Sequence, residues 1–158
     1  MALEIERKFL VKSEAWRDRV ERSEAFRQGN LAQAERLSVR VRCSSTQAWL
    51  NIKGGGIAAT RDEYEYCVPL ADARELLDRY CRRPLIEKTR YWVPVGAHTW
   101  EIDVFEGDNA GLVVAEIELD AEDEDFERPD WLGAEVTRDA RYYNIHLVTH
   151  PYSEWGDE

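Results

Sequence analysis

The chain begins with M-A-L-E-I-E-R-K-F-L-V, residues 1–11, in which charged side chains recur at alternate positions. Glu4, Glu6 and Lys8 occupy every second position, and Phe9 begins the apolar end of the stretch. Side chains at i and i+2 of a β-strand point to the same face of a sheet. The stretch therefore predicts an opening strand that carries its charges together on one face.

The same period-two alternation recurs along most of the chain and predicts eight strands. Short polar or glycine-rich turns, such as S-S-T-Q and G-D-N-A-G, separate several of them, which favours antiparallel hairpins. The expected class is mainly β with flanking helices (α+β). The predicted strands cover residues 3–11, 24–31, 35–43, 48–54, 60–68, 85–94, 99–106 and 112–120. The predicted helices are one opened by Ser13, one over 71–81 and one over 138–148.

The composition is that of a globular protein with a strongly acidic surplus. The 158 residues are 44% hydrophobic and fit a single domain over residues 1–158. A net charge of -11 argues against binding nucleic acid or an anionic membrane unless the 21 Lys and Arg are gathered in one place. We expect a cytoplasmic protein, because no signal peptide or long apolar segment is present. Cys43, Cys67 and Cys81 form no CxxC pair and predict neither disulfides nor a zinc site.

Most of the predicted strands repeat the charged doublet of the first strand, and the doublets are segregated by sign. One explanation is a sheet with a solvated outer face, where each cross-strand pair contributes only about 0.2–1 kcal/mol. Such faces usually also carry Thr, Ser and Gln, which are scarce here. The acidic doublets are Glu4 and Glu6, Glu63 and Glu65, Glu101 and Asp103, and Glu116 and Glu118; the basic doublets are Arg40 and Arg42, and Lys88 and Arg90.

The second explanation is a sheet that closes on itself with the charged face inside, which eight antiparallel strands can do. Charges removed from water must be offset by one another, by water or by a charged ligand. Basic side chains suit phosphate oxygens, and paired glutamates suit Mg2+ or Mn2+. This explanation predicts a polyphosphate ligand held with a divalent metal ion. The basic candidates are Lys8, Arg40, Arg42, Lys53, Lys88 and Arg90.

The order of several short motifs resembles the CYTH or triphosphate tunnel metalloenzyme family. After the E-I-E-R-K-F-L opening come R-V-R, I-K-G, E-Y-E, E-K-T-R, W-E-I-D-V-F, A-E-I-E-L and E-V-T-R-D-A-R-Y. The ExExK opening is the family signature, and the resemblance runs from Glu4 to about Asn144. It implies a closed eight-stranded antiparallel β-barrel that encloses a charged tunnel, with a C-terminal helix plugging one end.

The resemblance also implies roles for individual residues. Lys8, Glu4 and Glu6 are the catalytic candidates. Lys8 can act as general base only if burial and nearby cations lower its pKa, which the neighbouring carboxylates oppose. The alternatives are activation of the water by a carboxylate or by the metal. The implied metal ligands are Glu4, Glu6, Glu116, Glu118, Asp103, Glu63 and Glu65, and the implied substrate-binding residues are Lys8, Arg40, Arg42, Lys53, Lys88, Arg90 and Arg141.

The implied activity is metal-dependent hydrolysis of inorganic tripolyphosphate with Mg2+ or Mn2+ as cofactor. The alternatives are a class IV adenylyl cyclase, a thiamine or nucleoside triphosphatase, and a non-catalytic polyphosphate-binding module. The short chain shows no insertion that would shape a pocket for a nucleobase or a thiazole, which favours the inorganic substrate. The expected partners are a small anionic triphosphate and, as a candidate assembly, a second copy of the chain in a homodimer. No membrane and no nucleic acid are expected.

Overall fold

The computed structural model describes residues 3–55, 59–143, 147 and 150–155. This part of the chain is mainly antiparallel β-sheet with one α-helix, as the alternation predicts. The strands are β1 (Leu3–Val11), β2 (Arg22–Ala34), β3 (Leu37–Cys43), β4 (Ala48–Gly54), β5 (Thr60–Val68), β6 (Ile86–Val95), β7 (His98–Phe105), β8 (Val113–Glu118) and β9 (Leu132–Glu135), and the helix is α1 (Leu70–Arg79).

Eight of the strands form a closed ring of hydrogen-bonded neighbours. The order around the ring is β5-β4-β3-β2-β6-β7-β8-β1, and the pairing of β1 with β5 closes it. Glu4 lies opposite Arg61 at the closing pair, and Lys8 lies opposite Glu116 on β8. Closure pairs the strand edges that an open sheet would leave unsatisfied. The opening stretch of the sequence is therefore the strand on which the ring closes.

A ninth strand, β9, pairs with the C-terminal half of β1. The prediction of eight strands is thus wrong by one, although each of the eight exists with its ends shifted by no more than three residues. The alternation does not reveal β9 because the strand has only four residues, L-G-A-E, and follows a long acidic loop. Leu132 and Glu135 of β9 lie opposite Val11 and Phe9 of β1.

The helix predictions fare less well than the strand predictions. The helix predicted over 71–81 is confirmed as α1. The helix predicted after Ser13 is wrong, because the chain forms only a single 3-10 segment over Ala15–Arg19 there. In the third predicted helix, residues 138–139 are not helical and Ala140–Tyr142 is a 3-10 turn; residues 144–146 and 148–149 lie outside the described residues.

The apolar core lies on the side of the strands opposite to the charged doublets. Phe9, Trp100 and Ile117 are fully buried and pack with Trp16 of the 3-10 segment and Trp131 of the loop before β9. Alternate positions of the same strands, such as Lys8 beside Phe9, carry the charges. The hydrophobic effect therefore acts between the strands and their flanking segments. None of the helices in the described part of the chain has the length and apolar character that crossing a membrane requires.

Candidate active site

One cavity, with a volume of about 50 Å³, gathers side chains from seven of the eight ring strands. Its lining is strongly basic, with five Lys or Arg and only two carboxylates. Two of these strands, β1 and β3, each contribute a pair of residues two positions apart, which share one face of the strand. The lining residues are Glu6, Lys8, Asn30, Ser38, Arg40, Lys53, Arg61, Arg90, Glu116 and Tyr143.

Lys8 lies between two carboxylates at the floor of this cavity. Its Nζ is 2.5 Å from Oε1 of Glu116 and 3.7 Å from Oε1 of Glu6. Burial alone would lower the pKa of Lys8, but the attraction of Glu116 and Glu6 more than offsets burial and raises that pKa above its usual value. Lys8 therefore stays an ammonium ion, and the general-base role considered for it has no support in this geometry.

The pKa values of the Glu6 and Glu116 carboxyl groups are shifted in opposite directions. Burial and the negative charge of Glu116 raise the pKa of Glu6 to about 8. Burial would also raise the pKa of Glu116, but its contacts with Lys8 and Arg90 hold that pKa well below the usual range. At neutral pH, Glu116 is the charged partner of Lys8, and Glu6 holds a proton in the absence of a further cation.

Lys88, Arg90 and Asp103 form a buried ion cluster between β6 and β7. Asp103 accepts hydrogen bonds from Nζ of Lys88 at 2.8 Å and from Nε of Arg90 at 2.8 Å. Burial, opposed by Asp103, lowers the pKa of Lys88 to about 7. Arg90 reaches the cavity, but Lys88 is only 1% exposed and does not line it. Asp103 holds these two cations in place with both of its oxygens.

A second ion cluster joins β1, β4 and β5 near the closing pair of the ring. Nζ of Lys53 lies 3.4 Å from Glu4 and 3.1 Å from Glu63, and Nη2 of Arg61 lies 3.2 Å from Glu4. Lys53 and Arg61 both line the cavity. Glu4 therefore neutralises two of the cavity cations in the absence of ligand.

Arg40 is the exception among the cavity cations. In the described ranges of the chain its side chain makes no ion pair or hydrogen bond, and its Nε is buried without a partner. The other four basic residues of the lining each have a carboxylate within 4 Å; they are Lys8, Lys53, Arg61 and Arg90. A guanidinium nitrogen that is buried without a partner is costly unless an anion satisfies it.

Several of the predicted site residues lie beside the cavity rather than in its lining. Arg42 stacks over Phe26 with 4.7 Å from its Cζ to the ring centroid, and burial together with the charge of Arg40 lowers its pKa to about 10. Glu65 accepts a hydrogen bond from Asn51 at 2.6 Å. Glu118 is exposed. Arg141 donates to Asp139 at 2.8 Å, away from the lining.

Four residues of the cavity lining are not among those predicted from the sequence. Arg61 lies two positions before Glu63 on β5, so the alternation itself carried the signal for it. Asn30 and Ser38 are neutral, so the pattern of charged doublets does not mark them. Tyr143 comes from the segment after β9, and its ring contacts Lys8 only through the tertiary fold.

The described residues contain no group of three or more His, Cys, Asp or Glu side chains close enough to hold a metal ion by themselves. Two carboxylates, Glu6 and Glu116, do line the same cavity. Their oxygens are of the hard type that Mg2+ and Mn2+ prefer. Mg2+ is commonly bound by one or two carboxylates together with substrate phosphates and water. The residues present therefore fit an ion that a phosphate chain helps to coordinate.

The order of the motifs and the arrangement of the strands agree with a known family. The family model described as the CYTH domain matches residues 2–152. This chain belongs to the CYTH domain family. Its similarity to members of that family extends over almost the whole chain.

Two CYTH relatives carry the name inorganic triphosphatase. The protein from Acetivibrio thermocellus is 43% identical over 157 residues, which cover 99% of this chain and 100% of the relative. The protein from Nitrosomonas europaea is 36% identical over 150 residues, covering 92% and 96%. Among solved structures, that of the inorganic triphosphatase NE1496 superposes with a TM-score of 0.64 at 32% identity, covering 94% of this chain and 95% of that one.

Proposed function

We propose that this CYTH protein is a metal-dependent inorganic triphosphatase that hydrolyses tripolyphosphate within the ring of strands. In this proposal the ring is a barrel whose interior is a tunnel, and the segment after β9 closes one end of it. The relatives named inorganic triphosphatase match this chain along nearly its full length, which supports the same substrate class here.

The observation that carries the proposal is the positive net charge of the cavity lining. The chain as a whole has a net charge of -11, yet the lining places five basic side chains against two carboxylates. Local charge of one sign in an enclosed site concentrates ligands of the opposite sign. Arg40 in particular faces the cavity without an ion-pair partner among the residues that the structure describes. A small polyanion such as tripolyphosphate supplies the negative charge that balances these cations.

In this proposal, some residues of the chain neutralise the charge of the substrate and others position it. Arg40, Arg90, Lys53 and Arg61 would bind phosphate oxygens, and Lys8 would remain a cation beside Glu116. Phosphoryl transfer needs mainly this positioning and charge stabilisation, with a water in line with the leaving phosphate. Glu6 and Glu116 would hold Mg2+ or Mn2+, with Glu4 and Glu118 as further candidates on the same strands. When bound, such an ion supplies charge stabilisation for the reacting phosphoryl group.

The test is release of phosphate from tripolyphosphate, ATP, GTP and thiamine triphosphate, each at saturating Mg2+ or Mn2+. We expect a clear preference for tripolyphosphate. A preference for one of the organic triphosphates would overturn the inorganic assignment. Formation of cyclic AMP and pyrophosphate from ATP would instead identify a cyclase, and tight binding of tripolyphosphate with no turnover under any divalent metal would identify a binding module.

The proposal also includes a single domain, a cytoplasmic location and a homodimer as the candidate assembly. The family model spans residues 2–152, which supports a single CYTH domain over residues 1–158. Cys43, Cys67 and Cys81 are free thiols, which suits the reducing cytoplasm. Size-exclusion chromatography with light scattering would distinguish a monomer from the candidate homodimer.

A further inference from the structure

Asn30 places a carboxamide group in the wall of the cavity, on β2. Its side chain is more than nine-tenths buried and lines the cavity. Within the part of the chain that the structure describes, its Nδ2 has no hydrogen-bond partner. An amide donor that is removed from water and left unpaired destabilises the fold, so a donor of this kind calls for an explanation.

The backbone around Asn30 is fixed from the outside of the ring. The carbonyl oxygen of Asn30 accepts a hydrogen bond from the backbone nitrogen of Arg82 at 3.0 Å. The preceding residue is Gly29, and a Cβ there would lie 2.7 Å from Cβ of Cys81 and 2.8 Å from Leu85, so the segment after α1 packs directly against β2. A register shift between Asn30 and Ala32 follows. Bulges of this kind aim side chains at functional sites.

Asn30 lies directly opposite Arg40 in the pairing of β2 with β3. Directly opposed side chains on one face of an antiparallel pair are in reach of a common ligand. Over the described ranges, Arg40 is the cavity cation without an ion pair, and its Nε also lacks a partner. Two neighbouring strands thus present unsatisfied donors, one neutral and one charged, to the same space. An anionic oxygen acceptor satisfies both.

We infer that Asn30 is a substrate-binding residue, whose amide donates a hydrogen bond to a phosphate oxygen of the polyphosphate that Arg40 also contacts. The inference rests on the proposed function, because it takes tripolyphosphate as the ligand of the cavity. The neutral donor adds a directional contact to those that the guanidinium of Arg40 can make with phosphate oxygens. The cost of leaving this donor unpaired in the free protein is recovered only when the ligand is bound.

The test compares three variants with matched shapes. Asn30→Leu keeps the size of the side chain and removes the donor, and Asn30→Asp keeps the shape but replaces the donor with a carboxylate. Gln28→Met is the control, because Gln28 is a fully buried amide two residues earlier on the same strand that does not line the cavity. Affinity for tripolyphosphate is measured by isothermal titration calorimetry in metal-free buffer, and KM and kcat are measured with Mg2+.

We expect Asn30→Leu to raise Kd and KM about tenfold, and Asn30→Asp to raise them further through repulsion. Gln28→Met should leave both within about twofold. Because Asn30→Leu removes an unpaired buried donor, its thermal midpoint should equal or exceed that of the wild type, which a purely structural asparagine would not allow. If Asn30→Leu fails to fold, Asn30→Ala, which also removes the donor without adding a charge, takes its place in the same measurements.

The outcomes separate this inference from the proposed function. Wild-type protein that neither binds nor hydrolyses tripolyphosphate overturns both. Wild-type protein that does so, with Asn30→Leu and Asn30→Asp unchanged in Kd and KM, overturns only the role of Asn30. A loss of affinity that is equal in Gln28→Met and Asn30→Leu would show a general effect of β2 packing and would overturn it as well.

Discussion

The ammonium group of Lys8 lies 4.7 Å from the centroid of the Tyr143 ring, and the guanidinium carbon of Arg61 lies 5.0 Å from the same ring. The Tyr143 hydroxyl donates a hydrogen bond of 2.6 Å to the carbonyl oxygen of Thr137. A backbone hydrogen bond of 2.8 Å, donated by the Val136 nitrogen to the Lys8 carbonyl oxygen, attaches the same segment to β1. Tyr143 therefore holds its aromatic ring against two of the cavity cations, and its hydroxyl is anchored to the backbone of Thr137.

The Tyr143 ring is predicted to position Lys8 and Arg61. Tyr143→Leu should raise KM for tripolyphosphate about tenfold, since each cation–π contact is worth about 0.5–2 kcal/mol in a desolvated site. Tyr143→Phe keeps the ring and should keep KM within about twofold while losing about 1 kcal/mol of stability with the hydroxyl. Steady-state kinetics and thermal melts measure the two effects. Equal kinetics in the Leu and Phe variants would contradict the role of the ring.

Replacement of Arg40 by Ala should raise KM steeply and also lower kcat, because Arg40 has no ion-pair partner within the described part of the chain and negative charge builds up in the transition state. Arg40→Lys keeps the charge but loses the paired donors of the guanidinium and should recover only part of the loss. The exposed Arg19 serves as the control: Arg19→Ala should leave the kinetics within about twofold. An Arg40→Ala variant with wild-type KM would remove the main support for an anion-binding cavity.

The two cavity carboxylates are predicted to serve the metal rather than the phosphate chain. Glu6→Gln or Glu116→Gln should abolish turnover at ordinary Mg2+ while tripolyphosphate still binds, since carboxylate oxygens are the preferred ligands of Mg2+. Phosphate release and calorimetric titration, performed on the same protein samples, measure the two properties. Activity that falls only in proportion to folded protein, judged by thermal melts, would make these residues structural ion-pair partners and the tunnel assignment wrong.

The raised pKa of Glu6 predicts a pH-dependent stability of the metal-free protein. Because the folded-state pKa is about 8 and the usual pKa of a glutamate is about 4.5, the folded state holds an extra proton between these values, so stability falls as pH rises from about 4.5 to 8. Glu6→Gln cannot ionise and should become more stable relative to the wild type at pH 8.5 than at pH 5, by more than about 1 kcal/mol. Denaturant titrations with a chelator at the two pH values provide the measurement. If the free energies of unfolding of the two proteins differed by the same amount at both pH values, the raised pKa of Glu6 would be refuted.

The Lys88–Asp103 pair is predicted to matter mainly for folding. Asp103→Asn leaves Lys88 and Arg90 without their shared carboxylate in a fully buried place and should destabilise the protein by about 3–5 kcal/mol. Lys88→Met leaves Asp103 paired with Arg90 and should cost less. Denaturant unfolding at pH 7 compares the two variants. If Lys88→Met were the more damaging of the two for stability, Asp103 would not be the centre of this cluster.

The sequence by itself determined the two-faced strands. Alternation placed Lys8 and Phe9 on opposite faces, and the structure confirms that one joins the charged cavity and the other the core. It also carried the motif order that identifies the CYTH family over residues 2–152. These features are local or follow chain order, so a period of two and a set of short motifs suffice to reveal them.

The tertiary structure alone decided which charges pair and which remain unsatisfied. The doublet of Lys88 and Arg90 looks uniform in sequence, yet the ring buries Lys88 against Asp103 and lets Arg90 reach the cavity. The Tyr143 ring contacts Lys8 and Arg61 only because the pairing of β1 with β5 and β9 brings distant segments together. Register between strands that are far apart in sequence is set by ring closure and core packing, and no local pattern encodes it.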